Sequence, residues 1–233
     1  MSYINGPKIV TDGLILCLDA ANLKSYPGSG SSWVDLCGIQ NGTIINSPTF
    51  SSEGKGSLDF NGTNQYVDMN KAYSGLEIQS STSNYTLESW IKVRTSQGTV
   101  LDTDSIVGNN SNYGVGMQVG IFNSKPRINY GARSTNNFYG SSFEYNAWTH
   151  VALSRIHEVS CKSYLNGQPD TSIASTQLSV LSTSWGNMTI GYSGPRITGY
   201  YDGYIAVIRI YNKGLTDDEI FQNYVAIKGR FGD

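Results

Sequence analysis

Six aromatic side chains beside loop sequence carry the sharpest ligand chemistry in this chain: Tyr113, Tyr139, Trp185, Tyr192, Tyr200 and Tyr201. Asn109, Asn110, Asn112 and Asn136 lie close to them in sequence. Aromatic faces accept the C–H face of a sugar ring, while amides and backbone groups hold its hydroxyls. The six are therefore the candidate carbohydrate-binding residues. The competing reading is packing, in a core, at a rim or against another subunit. A second constellation is acidic. Asp102-Thr103-Asp104 sets two carboxylates two residues apart, and Asp202 could join them. Calcium takes several such oxygens, so these three are the candidate metal ligands, set against a plain solvated turn. No other cofactor is expected.

Catalytic pairings are harder to find. Glycoside hydrolysis needs two carboxyl groups flanking one bond, yet Glu53, Glu77, Glu88, Glu144, Glu158 and Glu219 are scattered singly. There is no Gly-x-Ser-x-Gly elbow. His150 lies within an apolar strand pattern and reads as a structural histidine, and His157 reads as a solvated turn residue. Cys17, Cys37 and Cys161 have no Cys-x-x-Cys spacing, which argues against zinc. Buried free thiols are the default reading, with one disulfide plus a free thiol, or an inter-subunit bridge, as alternatives. The chain is not expected to be an enzyme.

The elements that would position these residues are mostly strands. The 233 residues carry only 15 % charge, with 26 Gly and 16 Tyr, a composition that fits a β-rich exposed protein. A formal net charge of -2 and no cluster of Lys and Arg argue against nucleic acid as a partner. The run Gly13–Leu18 is too short to span a bilayer, and no secretory leader is expected at the N-terminus. Strands are expected at Gly13–Asp19, 57–60, 65–69, Tyr85–Val93, Tyr113–Phe122, Arg127–Gly131, Trp148–Arg155, Cys161–Leu165, Met188–Tyr192 and Tyr204–Tyr211. In Tyr85–Val93, Trp90 falls on the second face, so that face is expected to be partly covered. Asn61-Gly62-Thr63-Asn64 is expected to close a type I′ hairpin, and Asn166-Gly167 ends another strand. Lys24–Ser32, Ser80–Asn84 and Thr135–Ser142 read as exposed loops. Five Asn-x-Ser/Thr sequons, at Asn41, Asn61, Asn84, Asn109 and Asn187, read as turn chemistry. One helix is expected near the end: Thr216 and Glu219 form a capping box, Ile220, Tyr224 and Ile227 recur at helical spacing, and Lys228-Gly229 stops it.

Many short strands and one terminal helix point to an all-β jelly-roll sandwich of two antiparallel sheets. Four segments sharpen this: Gly13–Asn22, Ser57–Asp68, Trp148–Leu153 with Ser163–Gly167, and Asp202–Ile205 with Arg209–Thr216. In order and spacing they resemble the laminin-G-like branch of the concanavalin A-like lectin/glucanase fold, across about Gly13 to Gly229. The glucanases of that fold set paired carboxylates on one strand, a motif this chain lacks. Relatives often carry an acidic pair where this chain has Ala206-Val207, which weakens any carry-over of acidic chemistry.

The opening block, Asp19–Asn22, Lys24–Gly30, Trp33–Leu36 and Asn41–Thr43, is similar to laminin-G-like domains in structural proteins of tailed bacteriophages, as is the ending Lys228–Gly232. That resemblance implies a virion component: residues 1–12 as an N-terminal arm able to anchor, and 13–233 as the jelly-roll domain. The leading expectation is thus a non-enzymatic virion protein. Its expected partners are other virion proteins, in a homo-oligomer or symmetric array, and host-surface glycans. The alternative is a soluble carbohydrate-binding module, followed by a glycan-active enzyme. No membrane partner is expected.

Overall fold

In the computed structural model, residues 7–72, 83–94, 99–105, 116–130, 138–173, 187–192 and 199–232 are described. In chain order the strands are β1 (Leu14–Asp19), β2 (Ser32–Trp33), β3 (Gly42–Ile45), β4 (Thr49–Ser51), β5 (Ser57–Asn61) and β6 (Tyr66–Ala72). Then come β7 (Tyr85–Val93), β8 (Thr99–Ser105), β9 (Gly116–Phe122), β10 (Lys125–Tyr130) and β11 (Phe138–Ser142). The last are β12 (Trp148–Ile156), β13 (Ser160–Leu165), β14 (Gln168–Ile173), β15 (Asn187–Ile190) and β16 (Asp202–Tyr211), followed by the helix α1 (Asp217–Ile227).

These strands form two antiparallel sheets. One runs β14-β13-β12-β7-β16-β5-β4, and the other β11-β10-β9-β8-β15-β6-β3-β2. The long β16 is shared on one edge: Asp202–Ile205 pairs with β5, while Val207–Tyr211 pairs with β1. Its other edge pairs along its length with β7. Alternate residues of both sheets meet in the core, including Leu87, Ile91, Ile205 and Ile208 from one and Val67, Met69, Met117 and Ile190 from the other. This is the expected jelly-roll sandwich with one short C-terminal helix.

The second face of β7 is covered as the position of Trp90 implied, and the cover is the C-terminus. Trp90 stacks on Phe231 at 4.0 Å and on Tyr224 at 5.5 Å. The helix that carries Tyr224 starts at the expected capping box, where the Thr216 side chain accepts from the Glu219 N–H and Glu219 accepts from the Thr216 N–H. Strands β7 and β16 are buried on both faces, which accounts for the near-continuous apolar run of β16.

Two expectations are corrected. The Asn61-Gly62 turn does not close a hairpin, because β5 and β6 lie in different sheets. Gly62 alone takes positive φ, +68°, whereas a type I′ turn needs two such residues. Instead the Asn61 side chain accepts from the Thr63 and Asn64 N–H groups, forming an arch that carries the chain across the core. The Asn166-Gly167 turn, with φ of 49° and 75°, does close the β13–β14 hairpin. The second correction is Phe138–Ser142, expected within a loop. It is the edge strand β11, tied to the other sheet where Ser141 N–H and Oγ donate to Asp170.

The described part of the N-terminal arm lies along the helix. Val10 N–H donates to Asn223 Oδ1 at 2.7 Å, Tyr211 Oη donates to the Val10 carbonyl, and Gln222 Nε2 donates to the Lys8 carbonyl. Among the described residues, no helix is long and apolar enough to cross a membrane.

Candidate functional site

Strand alternation decides which side chains reach the outer face of the second sheet. In β6, Val67 and Met69 enter the core, so Tyr66, Asp68 and Asn70 face the other way. Thr189 on β15 lies in register with Asp68 on one side and with Asp102 of β8 on the other. After β15 the Thr189 hydroxyl donates to the Tyr192 carbonyl at 2.7 Å, and Tyr201 N–H donates to the Gly191 carbonyl. That backbone bond draws the two ends of the β15–β16 connection together and brings Tyr192 against Tyr200.

The result is a cluster of three tyrosines. Tyr192 and Tyr200 stack with centroids 4.6 Å apart at 19°. Tyr66 leans on both, 5.1 Å from Tyr192 and 6.4 Å from Tyr200. All three are half-buried. Burial pushes the Tyr66 phenol up, and the charges of Asp68 and Tyr200 push it further the same way, so it remains a neutral donor at physiological pH. Along the strand, Asn70 N–H donates to Asp68 Oδ1 at 2.7 Å and Asn70 Nδ2 to Thr43 Oγ1 at 2.6 Å. Aromatic faces beside fixed amide, hydroxyl and carboxylate groups can stack a pyranose or furanose ring and bond its hydroxyls.

Of the six aromatic candidates, the structure unites Tyr192 and Tyr200. Tyr139 is exposed but sits on β11, at the opposite edge of the same sheet, with the Arg127 guanidinium 3.7 Å over its ring. Tyr201 is a correction: it is fully buried, packs edge-on against Phe60 and donates to the Tyr204 carbonyl, so no ligand reaches it. Tyr113 and Trp185 lie outside the described residues. Sequence reading missed Tyr66. Its alternation with Val67 and Met69 was the available signal, obscured by assigning its strand to the wrong partner.

Asp102 and Asp104 belong to β8 of the second sheet, whereas Asp202 begins β16 of the first. The Asp202 carboxylate is held by Arg94, whose other nitrogen binds Asp59 at 2.6 Å. Among the described residues no three His, Cys, Asp or Glu side chains are grouped to hold a metal.

Beneath α1 lies a buried polar network. Glu88 accepts from Arg209 Nη1 at 2.6 Å and from Asn223 Nδ2 at 2.7 Å, and His150 Nε2 stands 3.3 Å away. Burial pushes the Glu88 carboxyl up, but the Arg209 guanidinium, His150 and Asn223 outweigh it and hold it down to about 2. His150 is fully enclosed within this network, between Trp90 and Tyr224, as a structural role implies.

Two twisted antiparallel sheets with an aromatic and polar patch on one outer face define a lectin-like jelly roll. The chain belongs to the concanavalin A-like lectin/glucanases superfamily, whose laminin-G-type model matches residues 61–221. No curated protein matches the chain. Among solved structures it resembles Trypanosoma rangeli sialidase with a TM-score of 0.67 and 18% identity, over 97% of this chain and 34% of that one. It therefore spans about a third of the sialidase's length. It also resembles domain 4 of AbnA, an extracellular arabinanase from Geobacillus stearothermophilus solved with arabinotriose. There the TM-score is 0.68 and the identity 16%, over 94% of this chain and 100% of that domain. The binding domain of Paraclostridial Mosquitocidal Protein 1 gives 0.67 at 14% identity, over 91% and 52%.

Proposed function

We propose that this chain is a non-catalytic carbohydrate-binding module whose recognition surface is the Tyr66–Tyr192–Tyr200 cluster. The observation that carries this reading is the meeting of three half-buried rings beside polar side chains on one sheet face. Ring stacking and hydrogen bonding need no ion, so the module works without a resident cofactor. Support comes also from the fold neighbours, one a domain in complex with arabinotriose and another named a binding domain. A non-catalytic role is supported by the way several carboxylates face a cation: Glu88 with Arg209, Asp59 and Asp202 with Arg94, Glu53 with Lys92, and Asp217 with Lys162. The test is an immobilised panel of neutral and acidic oligosaccharides, arabinotriose included, probed with the protein and with Tyr66→Ala and Tyr200→Ala. Binding lost in both variants supports the reading; binding unchanged by both, or none to any glycan, refutes it.

A second reading puts the module on a bacteriophage particle, docked to other virion subunits in a homo-oligomer or symmetric array and touching host-surface glycans. What favours it is the opening block, Asp19–Asn22 through Trp33–Leu36, similar to phage structural domains. Mass spectrometry of purified particles checks it. Detection only in infected-cell lysate, never in particles, would sink it.

A further inference from the structure

We infer that Cys17 and Cys37 form an intramolecular disulfide when the protein meets a disulfide oxidant, with Cys161 left as the free thiol. All three cysteines are free thiols in this structure. Asp35 is a buried carboxylate that gathers backbone N–H groups. Its Oδ1 accepts from Cys17 N–H at 2.8 Å and from Cys37 N–H at 3.0 Å, while Oδ2 accepts from Ile39 and Gln40. The Leu36 N–H donates to the Cys17 carbonyl at 2.9 Å, fastening the loop alongside β1. Two N–H groups sharing one acceptor oxygen hold these two stretches of backbone against each other, the close approach that a disulfide requires (about 4.4–6.8 Å between Cα atoms).

The side chains agree with this placement. Leu16 and Leu18 enter the core between the sheets, so Cys17 lies on the opposite face of β1, near Arg209. Cys37 lies on the loop that Asp35 and Leu36 fasten along the edge of β1, and its thiol feels the charges of both Asp35 and Cys17. Cys161 is excluded by topology. It lies in the core, on β13, three places along the sheet from β16 and on the inner face.

With glutathione disulfide as oxidant the step balances. The Cys37 thiolate, partly exposed, attacks one sulfur of glutathione disulfide, forming a mixed disulfide and expelling one glutathione thiolate. The Cys17 thiolate then attacks the Cys37 sulfur, and the second glutathione leaves. The protein dithiol is oxidised to one disulfide, glutathione disulfide is reduced to two thiols, and the two protein protons pass to the two leaving groups. Burial pushes the Cys37 thiol up to about 12, with Asp35 and Cys17 adding to it, and burial raises Cys17 as well. Thiolates are therefore scarce near neutrality, and the exchange is slow, quickening about tenfold per pH unit while one thiolate limits it.

The test is a peptide map of the folded protein after incubation with glutathione disulfide at pH 8, alkylation and trypsin digestion. Cleavage at Lys24 separates the two cysteines, so the bridge links Ile9–Lys24 to Ser25–Lys55. That linked pair, retained in Cys161→Ser and lost in Cys17→Ser, is the expected result. A stable glutathione adduct on Cys37, a bridge to Cys161, a Cys37-linked dimer, or two separately alkylated peptides would each overturn the inference. The wild-type map decides the matter even if a serine variant fails to fold.

Discussion

Asn223 Nδ2 donates to Glu88 Oε2 across 2.7 Å, with both side chains closed off from solvent. The same amide accepts the Val10 N–H through its oxygen, so one side chain joins the N-terminal arm, the C-terminal helix and the charge at the centre of the first sheet. Asn223→Ala leaves the Val10 donor and one carboxylate lone pair unsatisfied. The expected cost is about 3 kcal/mol in urea unfolding, with faster amide exchange at Val10. Unaltered exchange at Val10 would contradict the role of Asn223 as the tie.

Glu88 makes stability depend on acid. Its folded pKa, about 2, lies below the value of about 4.3 for an unfolded glutamate. The stabilisation is complete above the unfolded value and declines as pH falls towards about 2. It amounts to something on the order of 3 kcal/mol. Glu88→Gln leaves Arg209 buried without its counter-charge. It should cost about 3–5 kcal/mol at neutral pH and show a shallower acid slope. Unfolding curves collected from pH 7 to 2 check both.

Phe231 is the lid on Trp90, and its removal should be visible from the indole itself. Phe231→Ala is expected to lower stability by about 2 kcal/mol and to change Trp90 emission as one ring face meets water. Emission and melting temperature both equal to wild type would count against the stack.

At the tyrosine cluster, Tyr66→Ala and Tyr200→Ala should each weaken saccharide binding about tenfold or more, because each removes part of one surface. Tyr139→Ala, at the far edge of the sheet, should leave affinity within about twofold. Titration calorimetry with a saccharide from the array gives the comparison. Equal losses at Tyr66 and Tyr139 would mean the binding surface lies elsewhere.

Much of this fold was legible because local signals agreed with it. Alternation in β7, the run of β16 and the Thr216–Glu219 box each describe their own element without help from distant sequence. Asn61-Gly62 shows where such reading fails. Positive φ at one glycine suits an arch as well as a hairpin, and the choice depends on which sheet holds β6, a non-local fact. The tyrosine site was half legible for the same reason. Tyr192 and Tyr200 announce themselves beside loops, whereas Tyr66 joins them only once β6 pairs with β15. Asp202 illustrates the converse, since nothing near it in sequence reveals that Arg94 holds it.

The double pairing of β16 sets the order in which the protein can form. Ser89 Oγ donates to the Val207 carbonyl across 118 residues of chain, and β1, β5 and β7 all lean on the same late strand. A ribosome releases β7 long before its neighbour exists. During that interval Leu87, Ile91 and Val93 of β7 have no β16 to pack beside, and pairing over so long a stretch of chain is expected to make folding slow for the size of the domain.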